Sequence, residues 1–127
     1  MQISANRTDE VSLVQLGVEA VQLLCSGNIQ TLVTRFGYAL SLGRECTFAV
    51  RHDLSQCLAK LQANNLVFSS QPTPTVVKRF EANDIGLLAL VECLALTDNG
   101  AKILVELIVS SKGSERHVTL EQLSVAV

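Results

Sequence analysis

Ten consecutive residues, Leu87-Leu88-Ala89-Leu90-Val91-Glu92-Cys93-Leu94-Ala95-Leu96, are apolar but for one carboxylate, Glu92. The run is well short of the ~20 residues that a membrane-spanning helix needs. It is bounded by Asn83-Asp84-Ile85-Gly86 and Asp98-Asn99-Gly100, both good turn chemistry. An apolar run of this length between turn signals is a strand fit for burial on both faces. With a further turn at Lys112-Gly113, the second half of the chain reads as a meander of strands: Thr75–Ala82, Leu87–Thr97, Lys102–Ser110 and Arg116–Val127.

Upstream the periodicity changes to that of helices. Thr8 is placed to cap a first helix, with Asp9 and Glu10 in its first turn, where the helix dipole favours negative charge. Ser12, Gln15, Glu19, Gln22 and Ser26 form a polar stripe. Val14, Val18, Val21 and Cys25, flanked by Leu13, Ala20 and Leu24, form the opposite face, and Gly27 ends the helix in a left-handed cap. Asn28 is placed to cap a second helix carrying Ile29, Leu32, Val33 and Phe36. Tyr38–Leu42 and Cys46–Val50 alternate around Gly43 and predict a short hairpin. Asp53 and Gln56 make a capping-box-like pair for a third helix, whose buried stripe is Leu54, Cys57, Leu58 and Leu61 and which runs out at Asn64-Asn65. Leu66–Ser70 is a further candidate strand, and Pro72 and Pro74 bar a helix after it.

The register of the meander decides what faces the core. A two-residue Asn99-Gly100 turn pairs Leu96 with Ile103, Leu94 with Val105 and Glu92 with Leu107. The register one residue away sets Glu92 against Glu106, and like charges directly opposite are unfavourable. The first register is therefore expected. It gives a helix-covered face of Leu88, Leu90, Leu94, Leu96, Ile103, Val105, Leu107 and Val109 around Glu92, extended by Val118, Leu120, Gln122 and Ser124. The loop at Asn83–Gly86 is ambiguous: two or four residues would put Arg79 and Glu81 on the face of Glu92, whereas three, the preferred reading, would set Lys78 directly opposite Glu92 and bury Phe80 and Val76 on the same face. The opposite, outer face then carries Val91, Cys93, Ala95, Leu104 and Ile108 beside Glu106 and His117, apolar enough to be buried against a second copy.

Composition bounds the function. The 127 residues make one domain, 1–127, with 48% hydrophobic and only 17% charged residues, which fits a compact core and leaves apolar surface for a partner. Net charge is −2 and Lys78-Arg79 is the longest basic cluster, so no face for nucleic acid or an anionic membrane is expected. Cys25, Cys46, Cys57 and Cys93 lack C-x-x-C spacing and read as structural thiols; no metal and no cofactor are expected. With no apolar leader or membrane span, the expected location is cytoplasmic.

The step Leu24-Cys25-Ser26-Gly27-Asn28-Ile29 between two helices, the capped helix at Asp53 and the terminal meander with its Asn-Asp-Ile-Gly and Asp-Asn-Gly turns resemble the NTF2-like (cystatin-like α+β) superfamily, over nearly the whole chain. The resemblance implies an α+β domain in which a curved antiparallel sheet wraps around three N-terminal helices. It also implies an apolar pocket inside the cone, and either a dimeric binding or interaction module or an isomerase or dehydratase. The enzymes of the family often carry an acidic residue after the second helix, where this chain reads Phe36-Gly37-Tyr38-Ala39. The expected function is thus a non-catalytic homodimeric module for small-ligand binding or interaction, with an apolar pocket and paired through its outer sheet face. The alternative is proton transfer by Glu92.

Glu92 is the leading candidate because a carboxylate on an apolar inner face is poised for acid–base work; its bland role is an ion pair with Lys78. Tyr38, Lys78 and Gln122 are the groups placed to meet a ligand or an oxyanion beside it. Tyr38 reads equally as a core tyrosine with a satisfied hydroxyl. His117 faces away from Glu92 in this register, so a dyad between them requires a bulge.

Overall fold

A computed structural model describes residues 1–68 and 74–126. Strand β1 (Gln2–Ile3) leads through a short 3-10 turn into helices α1 (Glu10–Cys25), α2 (Ile29–Phe36) and α3 (Cys46–Lys60). Strands β2 (Val76–Arg79), β3 (Leu87–Leu96), β4 (Lys102–Lys112) and β5 (Glu115–Val125) follow. The five strands form one antiparallel sheet in the order β1-β5-β4-β3-β2, covered on one face by the helices. The class is α+β, with the helices preceding the meander.

Helix boundaries follow local hydrogen-bond chemistry. The cap of α1 is Asp9, one residue later than expected: its carboxylate accepts from the Ser12 backbone N–H at 3.1 Å, while the Thr8 hydroxyl turns back to the Ala5 carbonyl. Gly27, at φ +77°, lets the Asn28 N–H reach the Leu23 carbonyl at 2.9 Å and close the end of α1. Asn28 does precede α2, but its side chain donates to Ser26 Oγ instead of capping.

The expected hairpin at Tyr38–Val50 is absent. Ala39–Ser41 is a 3-10 turn, Leu42 and Gly43 are left-handed, and Cys46–Val50 forms the opening of α3. Glu45 starts that helix by accepting from the Thr47 and Phe48 N–H groups at 3.1 and 2.7 Å. Cys46, Ala49, Val50, Leu54 and Cys57 then fall on the packed side at helical spacing. Asp53 is therefore inside a helix rather than capping one. Of the candidate strand Leu66–Ser70, Leu66 makes a single bridge to Thr97; Ser69 and Ser70, like Pro72, lie outside the described residues.

The β3–β4 register is the one the sequence argument disfavoured. Leu94 faces Leu104, Glu92 faces Glu106, and Leu90 faces Ile108. The loop has three residues, not two: Asp98, Asn99 and Gly100 lie between Thr97 and Ala101, whose backbones bond at 2.9 Å, with Gly100 left-handed at φ +84°. Asn99 serves as a tether, its amide donating to the Leu61 and Gln62 carbonyls at the end of α3. Asp98 accepts from the Asn64 N–H.

The inner face consequently carries Ala89, Val91, Cys93, Ala95, Ile103, Val105, Leu107, Val109, Val118, Leu120 and Leu123, all buried. Beneath it α1 presents Leu13, Gly17, Ala20 and Leu24, a stripe one residue away from the one expected. Small residues on both sides bring helix and strand together: a Cβ on Gly17 would strike Cys93 Sγ and lie 3.2 Å from Val91 Cγ1. Glycine in an exposed helix interior normally costs stability relative to alanine. Here the sign reverses. Gly17→Ala should destabilise the protein, and Gly17→Val should cost about 1–3 kcal/mol or more through overpacking. Urea unfolding of the two variants checks this, and a stabilised Gly17→Ala would show the contact to be loose.

Candidate functional site on the outer sheet face

With the small residues turned inward, the larger apolar residues of the same strands point away from the helices. Leu90, Leu94 and Leu96 of β3 and Leu104 and Ile108 of β4 are partly exposed and lie outside the core cluster. Leu88 is the exception: the register shift between Leu87 and Ala89 turns it to the core. At the β2 edge, Val76 is 50% exposed and Phe80, just past the strand, is 41% exposed instead of buried as expected.

Glu92 lies in the middle of this outer face, the opposite face from the one expected. An odd-length loop exchanged the faces of β3, because alternate residues point to opposite sides of a sheet. Its expected cation is present: Lys78 Nζ is 2.7 Å from Glu92 Oε1. The contact is diagonal, since Val76 faces Glu92 and Lys78 faces Leu90. The Lys78 ammonium is held more basic than usual, first by its hydrogen bond to Glu92 and also by the nearby charges of Glu92 and Glu106.

Gln122 joins the same row by a bulge. Glu106 faces Gln122 but Leu107 faces Leu120, so Glu121 is extra and the alternation of β5 reverses there. Leu123 takes the inner position, and Gln122 Nε2 donates to Glu106 Oε1 at 2.7 Å. Across four strands the outer face thus carries Lys78, Glu92, Glu106 and Gln122 side by side. Glu106 is the most enclosed of its charges, only 9% exposed, against 20% for the Glu92 side chain and 61% for that of Lys78. The sequence argument passed over Glu106 because it weighed the Glu92–Glu106 juxtaposition as a penalty to be avoided, not as a feature to be built.

Tyr38 is remote from this row in function. It is buried, and its hydroxyl donates to Asp53 Oδ2 at 2.6 Å. Arg44 clamps the same carboxylate through both oxygens, at 2.9 and 3.1 Å, and also donates to the Leu40 and Ser41 carbonyls. This cluster pins the 37–45 connection onto α3. The Arg44 hydrogen bonds hold the Asp53 carboxyl below the usual range, with the Tyr38 bond adding to them against partial desolvation. The tyrosine is pushed up by burial and by Asp53. His117 shares the outer face with Glu92, but its Nε2 is 3.0 Å from Glu115 and its register neighbour is Ser110.

The cysteines are all free, and burial raises the thiols of Cys25, Cys57 and Cys93, the last to about 11. Among the described residues no three His, Cys, Asp or Glu side chains are grouped to hold a metal ion, and no helix is long and apolar enough to cross a membrane. The inner sheet face, where an apolar pocket was expected, is closed to solvent by the helices: Val91, Val105 and Leu107 are 0% exposed.

Comparison with protein-family models, with curated proteins and with solved structures finds no match to this chain.

The Tyr38–Asp53–Arg44 cluster has a pH signature. A carboxyl whose folded value lies below its unfolded value contributes stability that is complete above the unfolded value and is lost as pH falls through the folded one. Melting temperature should therefore hold steady in the neutral range and fall below about pH 4, the ordinary aspartate region. Asp53→Asn should be less stable near neutrality and should show a shallower acid decline. Melting curves of the two proteins across that range check the assignment.

Proposed function

We propose that this protein is a non-catalytic interaction module that pairs with a second copy of itself through the outer face of its sheet. The observation that carries this reading is the outward set Leu90, Leu94, Leu96, Leu104 and Ile108, continued to the edge by Val76 and Phe80. Apolar side chains gathered on one sheet face mark an association surface. The partner proposed is a second copy because the face balances its own charges. Lys78 and Lys102 are matched by Glu92 and Glu106, so an identical face does not repel it as a net-charged one would. The order of three helices followed by an antiparallel meander supports the NTF2-like likeness.

Isomerase-type chemistry needed Glu92 inside an apolar, helix-covered pocket, and the geometry favours the surface role instead. Glu92 stands on the uncovered face with a lysine on it.

Sedimentation of the whole chain tests the proposal. A dimer is expected at tens of micromolar, and Leu104→Asp should weaken it by about 2 kcal/mol, roughly thirtyfold in Kd, as central interface positions do, with Phe80→Asp at the edge costing less. Circular dichroism of each variant should match the parent. A parent chain that stays monomeric at several hundred micromolar overturns the reading.

A further inference from the structure

We propose that the cleft between the N-terminal segment and the polar stripe of α1 is a binding site for a small hydroxylated anion, of the sugar-acid or sugar-phosphate class. None of the outer-face leucines lines it, so it stands independently of the association surface.

Ser12, Gln15, Glu19 and Gln22 have the spacing of a helix face turned to water. In the structure they form one wall of a hollow instead. β1 pairs with β5 at the sheet edge, and residues 1–4 together with Arg7 make the opposite wall. Arg35 of α2 completes it. The hollow measures about 520 Å³, within the roughly 300–1,000 Å³ usual for small-molecule sites.

Its charge is the reverse of the chain's. Arg7 and Arg35 stand against the single carboxylate of Glu19, in a protein of net charge −2. Asp9, at the start of α1, is already engaged by the Ser12 N–H and hydroxyl. Arg35 donates to Glu19 at 3.0 Å, but both side chains are well exposed, at 40% and 36%. Exposed pairs of this kind are weak, and a guanidinium has several donors, so Arg35 can take up a ligand anion beside Glu19 or in its place. Among the described residues the Arg7 guanidinium has no hydrogen-bond or ion-pair partner. Guanidinium groups grip carboxylate and phosphate through paired N–H bonds.

The rest of the lining sets what the anion must carry. The side-chain amides of Gln15 and Gln22, two turns apart on α1, also bond to none of the described residues. An amide both donates and accepts, which suits the hydroxyls of a polyol. Ile3 and Leu16, partly buried against the core, offer an apolar floor to a carbon skeleton. A bare anion would leave the amides unused, and an apolar compound would leave the guanidiniums unpaired.

Calorimetric titration of the whole chain with gluconate, glucose 6-phosphate, inorganic phosphate and glucose, at constant ionic strength, tests the site. At least one sugar anion should bind with a Kd of about 1 mM or below, and glucose should give no saturable signal. The two sugar anions separate a carboxylate head from a phosphate one. Arg7→Gln and Arg35→Gln should each weaken binding about tenfold, as loss of a charge-assisted hydrogen bond does. Gln15→Leu should narrow the preference over inorganic phosphate. Lys60→Gln removes a cation at the end of α3, outside the cleft, and should leave binding unchanged. Circular dichroism of each variant should match the parent. No saturation by either sugar anion at about 10 mM overturns the proposal. So does binding that survives both arginine substitutions, or that weakens as much with Lys60→Gln, which would be general attraction to positive charge. Inorganic phosphate that binds as tightly as the sugar anions overturns the ligand class.

Discussion

The close approach of α1 to β3 sets the rest of the structure. Gly17 lies against Cys93 and Val91, and Ala20 and Leu24 continue the same line. A helix seated this near a sheet can be accommodated only where the strand offers small side chains, and β3 offers Ala89, Val91, Cys93 and Ala95 on alternate positions. Once that face is chosen, strand alternation leaves no freedom: Leu90, Glu92, Leu94 and Leu96 must face outward. The position of every charge in the central row follows from that contact.

A second constraint fixes the register from the hairpin end. The Asp98-Asn99-Gly100 loop is anchored to the end of α3 through Asn99 and Asp98. Those bonds use the Asn99 side chain as a bridge between layers, which favours the three-residue form with Gly100 left-handed. Loop anchoring and helix seating select the same face. Together they outweigh the unfavourable meeting of Glu92 and Glu106, which Lys78 and Gln122 relieve from either side.

Much of the architecture was legible. Hydrophobic period and turn residues placed α1, α2 and the four long strands within a few residues, and gave the α+β class. The pairing of Lys78 with Glu92 was visible only under one choice of loop length, and it forms diagonally rather than directly across. What failed did so for identifiable reasons. Cys46–Val50 has the β-branched and aromatic content of a strand, yet Glu45 supplies a helix cap that a search for Ser, Thr, Asp and Asn overlooks. The two-residue reading of the Asn99-Gly100 turn and the like-charge argument against Glu92 meeting Glu106 misled the reading of β3, where Gly17 and Ala20 in α1 were the available clue to a tight fit. The bulge at Glu121, which returns Gln122 to the row of Glu92, leaves no signature in an alternating sequence.

The inversion of β3 bears on what the face is for. A strand that buries Ala89 and Ala95 and leaves Leu90, Leu94 and Leu96 partly exposed gains less than full burial from its larger apolar groups. Full burial of a leucine is worth about 1.5–3 kcal/mol relative to exposure. A partner that covers several such residues therefore draws on free energy that the fold leaves unused. The acidic centre works in the opposite direction, because Glu92 and Glu106 are costly to desolvate. On the proposed reading, a face with an apolar surround and a charged middle would admit only a partner that settles the charges as well as covering the leucines. Such a surface would discriminate against merely greasy partners, at some expense in affinity.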